Sequence, residues 1–301
     1  MLKTLPSFVP RSGRQLGLLL AAIGMFLVST DSVFIRLADV DGATIAFMSG
    51  LWSTPVMWVV ATRSLGRNLK TQLRDYRNPL VLTGIMGAIS TTAFVTAVTK
   101  TEIANVVAII GAAPIFAAVT ARIALKEHTS RRTWLAIVGA ISGILVIVSG
   151  SMAAGGTTGD LLAVGAITAF GLNLTIWRRH PDMPRALIVA MTATCTVVLT
   201  GILANPLSLD RSGLLATLAM GAVFGPTARF CMTTATRHAS AAEVSLFTPV
   251  ETISATLWAW LWFDEVPATL TFVGGVAVLL AVAYGVTGPA RDTTPTPTTH
   301  T

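Results

Sequence analysis

The chain is short of charge. Of its 301 residues only 12% are Asp, Glu, Lys or Arg, about half the roughly 25% of a soluble domain. It holds two cysteines, Cys195 and Cys231. Both fall inside apolar runs, so no disulfide framework is expected. Four scattered histidines, His128, His180, His238 and His300, lack metal-ligand spacing. No His-Glu-x-x-His motif and no nucleophile beside an oriented base occurs, so a membrane-embedded enzyme is the disfavoured class. No Gly-x-x-x-x-Gly-Lys loop occurs, so direct ATP drive is not expected of this chain. Alternating ten-residue segments are missing, which argues against a membrane β-barrel. No catalytic residue, metal ligand or cofactor is assigned.

Apolar sequence is what abounds. Hydrophobic residues make up 53% of the chain and mean hydropathy is +0.71. Apolar runs recur that are long enough to cross ~30 Å of hydrocarbon, which takes about 20 residues. Ten are read: 16–36, 43–62, 79–99, 103–125, 132–150, 159–178, 185–204, 212–234, 240–262 and 268–287. Each must be helical, because in lipid only helices and closed barrels satisfy their own backbone polar groups. The expected class is an all-α polytopic membrane protein of ten transmembrane helices. The first run has a basic lead in Lys3, Arg11 and Arg14, but it is too long for a signal peptide and is read as a retained helix.

The net charge of +7 could suggest a nucleic-acid partner. Its distribution points instead to lipid. With the N-terminus in the cytoplasm, all 21 Lys and Arg but five fall in cytoplasmic segments. Arg36, Lys100 and Arg211 fall outside, and Arg122 and Arg229 lie within helices. That asymmetry places both termini in the cytoplasm and basic loops on anionic headgroups. The expected home is a lipid bilayer.

The two halves of the chain repeat. Gly24–Asp31 lines up with Ala166–Asn173, which sets Asp31 on Asn173 and Arg36 on Arg178. Lys126–Glu127 lines up with Asp264–Glu265. Five helices per copy is an odd number, so the second copy must insert upside down. The expected layout is a cytoplasmic segment at 1–15, a first repeat at 16–150, a second at 159–287, and a disordered cytoplasmic tail at 288–301 with Thr-Pro repeats.

Short hairpins are expected at about Lys100–Glu102 and Ala235–Ala239. Gly139-x-x-x-Gly143, Gly221-x-x-x-Gly225 and Gly274–Gly275 mark close helix approach. Runs five and ten are the least polar, which suits a scaffold or a homodimer face. Pro55, Pro114, Pro226 and Pro249 lie within runs; of these Pro114, Pro226 and Pro249 are the helix-break candidates, since each frees a carbonyl.

An ionisable residue at bilayer depth costs about 2.5–3.5 kcal/mol on insertion scales and needs a partner or a watery cavity. Glu251 sits at the centre of 240–262 and is read as facing the transport path, against a hydrogen-bonded structural glutamate. Asp31 lies toward the outer end of helix one, and Asn173 in the inner half of helix six. Arg229 is placed to pair with Glu243 at the inner side. Arg122 can snorkel to the surface. Trp52 and Trp258 are deep enough to stack on an aromatic or cationic ligand, with packing as the competing reading. The substrate-path candidates are thus Asp31, Trp52, Asn173, Arg229 and Glu251. A buried carboxyl among them could carry a proton as the cavity alternates.

These features resemble a known family. Ala113–Pro114–Ile115–Phe116, Leu125–Lys126–Glu127 and Trp134 are similar to the proline, Gly-Glu and Trp pattern of EamA-type members of the drug/metabolite transporter superfamily. Leu246, Val250–Glu251–Thr252 and Phe263–Asp264–Glu265 repeat it. Two departures stand out. Thr252 replaces the proline of the family's Glu-Pro pair, and Gly50–Leu51–Trp52 stands where the family's arginine on helix two is expected. The resemblance implies a carrier of the bacterial inner membrane, a ten-helix basket with its cavity among helices one, three, four, six, eight and nine. It also implies a secondary transporter of amino acids, vitamins, nucleoside-like metabolites or cationic compounds. A flippase for a lipid-linked sugar or lipid is the alternative.

Overall fold

The computed structural model describes residues 13–113, 115–116, 119–120, 122, 131–154, 156–180, 182–238 and 247–286. The elements are α1 (Gly13–Ser29), α2 (Asp31–Ala38), α3 (Gly42–Leu65), α4 (Leu69–Asp75), α5 (Arg77–Lys100), α6 (Ile103–Ile110), α7 (Arg131–Ala154), α8 (Thr157–Arg179), α9 (Arg185–Thr200), α10 (Arg211–Leu218), α11 (Gly225–His238), α12 (Thr248–Phe263) and α13 (Thr269–Val286). A π-helical turn, Ala219–Phe224, joins α10 to α11. No strand occurs among the described residues. Among the described residues, five helical stretches are long and apolar enough to cross a membrane: Gln15–Ala38, Gly42–Asp75, Arg77–Lys100, Thr157–Trp177 and Arg211–Ala235. Trp134–Gly150, Arg185–Thr200 and Thr269–Tyr284 are shorter apolar helices.

The first run is broken where a single helix over 16–36 is expected. Its ladder tightens at Thr30, whose N–H bonds the Leu27 carbonyl at 3.2 Å. Three hydroxyls compete for carbonyls there. Ser29 Oγ donates to Phe26 O (2.6 Å), Thr30 Oγ1 to Leu27 O (2.7 Å) and Ser32 Oγ to Ser29 O (2.9 Å). Such back-bonding bends helices, and Asp31 opens the next segment.

The eighth run is also interrupted. Pro226 has no N–H, so the Ala222 carbonyl loses its usual donor. The chain accommodates this with the π turn immediately before, closed by the Gly225 N–H on Met220 O. Here α11 continues to His238, so the turn expected at Ala235–Ala239 does not begin at Ala235. The described part of run nine starts at Phe247, and α12 starts at Thr248 with Pro249 in its first turn, where a missing N–H costs nothing. Pro55 is held inside α3. Pro114 lies outside the described residues.

Helix α6 is buried on every side; Ile103 through Ile109 are all in the core. A helix apolar on every face but for Asn105, whose Oδ1 accepts from Thr271 Oγ1, needs that position. It packs on α8, α12 and α13. The other main contacts are α7 on α13, α5 on α8, α1 on α11, and α9 on both α3 and α5. Glycines set the α7–α13 approach: a Cβ on Gly143 would stand 2.8 Å from the Gly274 carbonyl oxygen, and one on Gly274 2.6 Å from that of Gly143. Arg132 fastens the same pair, lying 4.5 Å over the Tyr284 ring while its Nε donates to the Tyr284 carbonyl at 2.5 Å. The outer faces expose Trp134, Leu135, Val138, Leu145, Phe272, Val273 and Leu280. Apolar surface on that scale belongs in lipid rather than water.

Candidate functional site

Three ionisable side chains lie near one another inside the bundle. Asp31, in the first turn of α2, and Glu251, in the first turn of α12, are both buried. Helix N-termini are favourable places for carboxylates, and the break at Thr30 gives Asp31 such a terminus in mid-bundle. Arg229 of α11 and Glu251 both lie close enough to Asp31 to act on it through space. One Asp31 oxygen is buried without a hydrogen bond. Arg229 Nη2 donates to Thr91 Oγ1 of α5 at 3.3 Å; no carboxylate is paired directly with it among the described residues. Its expected partner Glu243 lies outside the described residues. The row Glu251–Asp31–Arg229–Thr91 therefore crosses helices α12, α2, α11 and α5.

The row ends in a narrow cleft. Its walls are Ser49, Gly50 and Ser53 of α3, Thr91 of α5, Val189, Thr192, Ala193 and Thr196 of α9, Met220 and Gly221 of the π turn, and Arg229. The cavity implied by the resemblance left out helices two and seven, yet α3 and α9 form most of this wall. The cleft is polar on one side because Ser49, Ser53, Thr91, Thr192 and Thr196 carry hydroxyls. Trp52 is half-buried beside it and is not part of the lining.

Asn173 stands elsewhere. Its Oδ1 accepts from Thr83 Oγ1, which in turn accepts from Trp177 Nε1 at 2.7 Å. This chain ties α8 to α5 and does not join Asn173 to Asp31. Trp258 also packs: its Nε1 donates to Ser29 Oγ at 3.1 Å and its ring meets Phe26 edge-on at 5.9 Å.

A second charged cluster joins the ends of α2 and α12 to the α5–α6 connection. Arg36 Nη2 contacts Glu265 Oε1 at 2.9 Å and donates to the Thr101 carbonyl at 2.7 Å. Glu265 Oε2 accepts from the Ile103 N–H at 3.0 Å. Asp264, in the left-handed region at φ 53°, ends α12 and turns the chain so that Glu265 can face back. Glu102 is nearby. Its burial, then the charges of Glu265 and Asp160, hold its carboxyl above the usual carboxylate range, with Arg36 opposing. Asp160, fully buried at the start of α8, was missed by sequence reasoning. Its one signal is an acid just inside the edge of an apolar run.

The comparisons agree with this architecture. The profile of the EamA-like transporter family matches residues 15–149 and again 157–286. A pseudopaline exporter, CntI of Pseudomonas aeruginosa, is 24% identical over 276 residues, covering 88% of this chain and 94% of that protein. YdfC of Bacillus subtilis, described as an uncharacterized transporter, is 25% identical over 182 residues, covering 57% and 58%. A solved crystal structure shares the fold with a TM-score of 0.64 at 15% identity, covering 89% of this chain and 95% of that one. With a family match along nearly its whole length, the chain belongs to the EamA-like transporter family, and so is an integral membrane protein of a transporter family.

Proposed function

We propose that the protein is a secondary transporter that moves a small organic metabolite across the bacterial inner membrane by alternating access. In this reading the chain crosses the membrane ten times, as two inverted five-helix repeats, with both termini in the cytoplasm. The helix contacts support the repeat. Exchanging the halves sends the α1–α11 contact onto the α8–α5 contact, and sends α3–α9, α6–α12 and α7–α13 onto themselves. The double family match supports it as well. Export is the favoured direction, since a relative matched over most of its length is an exporter.

The observation that carries the reading is the buried row of Asp31, Arg229 and Glu251 on interrupted helices. Charges held in an apolar bundle at helix breaks mark a path for a polar substrate. Alternating access then needs ends that open in turn. In this reading the Arg36–Glu265 pair is one of the contacts that must part when its end opens. Exchange of substrate for protons through Asp31 or Glu251 completes the cycle.

Metabolite profiling of cells and medium tests this. Expression of the wild-type chain should move at least one small polar metabolite from cells to medium, and an imposed pH gradient should change its flux in proteoliposomes. The Glu251→Gln chain, equally expressed, should not move it. If wild-type and variant cultures have the same profile, the transporter reading fails.

A further inference from the structure

The cleft at the end of the charged row has the chemistry of a receptor for one group. It holds a single cation, the Arg229 guanidinium, facing hydroxyls and no carboxylate. Arg229 uses its Nη2 on Thr91 and bonds no other side chain among the described residues, so donors remain free in the guanidinium fork. Ser53 is 4% exposed, and its Oγ has no hydrogen-bond partner. A buried hydroxyl without a partner costs about 1–3 kcal/mol, and a ligand oxygen in the cleft would remove that cost. Thr196 is already engaged, donating to the Thr192 carbonyl at 2.8 Å, and Ser49 donates to Ala46 O at 3.1 Å. Ser53 is therefore a wall donor that is both buried and unengaged.

The fit is narrow by construction. The π turn meets α3 at Gly221, where any Cβ would collide with the Ser49 backbone. Gly50 packs less tightly on α9, where a Cβ would stand 3.1 Å from Val197 and 3.2 Å from the Ala193 carbonyl oxygen. The cleft has about 20 Å³ of free space, room for a small group of a ligand and not for a whole metabolite, and a carboxylate matches the guanidinium fork in both charge and shape.

Resting on the transporter reading, we infer that this cleft receives a carboxylate of the transported metabolite, held by Arg229 and the hydroxyls of Ser53 and Thr91. The substrate is then an organic acid or a zwitterion, and a purely cationic compound is disfavoured. The carboxylate docks beside the row rather than on Asp31 and Glu251, which stay available to a cationic end of the substrate or to protons. Arg229 thus links the cleft to the row: filling it changes the charge that Asp31 faces.

The test uses the purified full-length protein in detergent at constant ionic strength, with acetate and succinate as probes. Inorganic phosphate and ethylammonium chloride are the comparison arms. Acetate and succinate should raise the thermal unfolding temperature in a saturable way, and ethylammonium should not. Succinate should bind Arg229→Gln at least about tenfold more weakly, as expected for a lost charge-assisted bond, with Arg229→Lys intermediate. Ser53→Ala and Thr91→Val should each weaken it by about threefold on the same scale of one hydrogen bond; these two decide the matter if Arg229→Gln does not fold. The inference is overturned if carboxylates leave the wild type unchanged, if the variants respond like wild type, or if phosphate stabilises as well as succinate. Metabolite export lost with Glu251→Gln but no carboxylate response would sink the cleft assignment and leave the transporter reading standing. Carboxylate binding without any wild-type flux would do the reverse.

Discussion

Arg36 at the end of α2 and Glu265 after α12 stand 2.9 Å apart, and each also holds a backbone group of the α5–α6 connection. A partly exposed pair alone is worth about 0–1 kcal/mol. Here the pair is one part of a clamp on Thr101 and Ile103. Arg36→Ala and Glu265→Ala should each lower the unfolding temperature in detergent, and the double variant should add little to the worse single one. The charge-swapped Arg36→Glu, Glu265→Arg protein should not recover, because the backbone partners would then face the wrong charges. Full recovery in thermal scans would reduce the clamp to a bare ion pair.

Glu251→Gln and Asp31→Asn nearly keep side-chain shape. Both should insert and fold, and both should transport at least about tenfold more slowly, equivalent to roughly 1.4 kcal/mol. Flux per inserted molecule in proteoliposomes is the measurement. Wild-type flux in either variant would make that carboxyl structural.

Asn173→Ala separates packing from transport. Removing the Thr83 contact should cost on the order of 0.6–1.7 kcal/mol, as for interhelical hydrogen bonds in membranes. Transport by the correctly inserted protein should stay within about twofold, since that energy falls on folding and not on a transport step. A large transport defect at normal stability would place Asn173 on the path after all.

Gly143→Ala should destabilise by about 1–3 kcal/mol, the usual cost of overpacking, because its Cβ meets the Gly274 carbonyl oxygen at 2.8 Å and Val278 at the same distance. Gly165→Ala is the control, as nothing lies within 4 Å of its Cβ. Equal melting curves for the two would contradict the close α7–α13 contact.

Asp41 caps α3, accepting from the Thr44 N–H at 2.9 Å and the Thr44 hydroxyl at 2.6 Å. Partial burial pushes its carboxyl up, but the Thr44 and backbone bonds outweigh that and hold it below its usual 3.8. A depressed native value means stability that is present above the unfolded value and lost as pH falls through the folded one. Asp41→Ala should therefore cost about 0.5–2 kcal/mol near neutral pH and progressively less below about pH 4, where the wild type loses its charged cap. Denaturation of both proteins across pH in detergent checks this; a constant difference down to strong acid would contradict it.

Much of the fold was legible because apolar run length is a direct readout of bilayer thickness. The breaks were less so. Pro226 announced one, since proline removes a donor wherever it stands. The break at Thr30 comes from Ser29, Thr30 and Ser32, and hydroxyls in a helix bend it only when their rotamers turn back on the chain. Asp31, Arg229 and Glu251 were each conspicuous as polar residues in apolar sequence. Their proximity was not, because it depends on how α2, α11 and α12 pack. Ser53 and Thr91 gave no signal at all: one hydroxyl in an apolar run is cheap and common. Arg36 and Glu265 looked like ordinary loop-end charges until α12 and the α5–α6 connection were seen side by side.

The π turn at Ala219–Phe224 amounts to one surplus residue looped out of an otherwise α-helical register. Each residue of an α-helix advances its side chains by about 100°, so deleting a residue from most of these helices would turn everything downstream away from its neighbours. Deleting one within 219–224 should let the turn relax to ordinary helix and leave Arg229 and Gly213 facing as they do now. This helix can therefore lose a residue without losing its alignment, and relatives that lack the turn should be one residue shorter between the positions of Gly213 and Arg229.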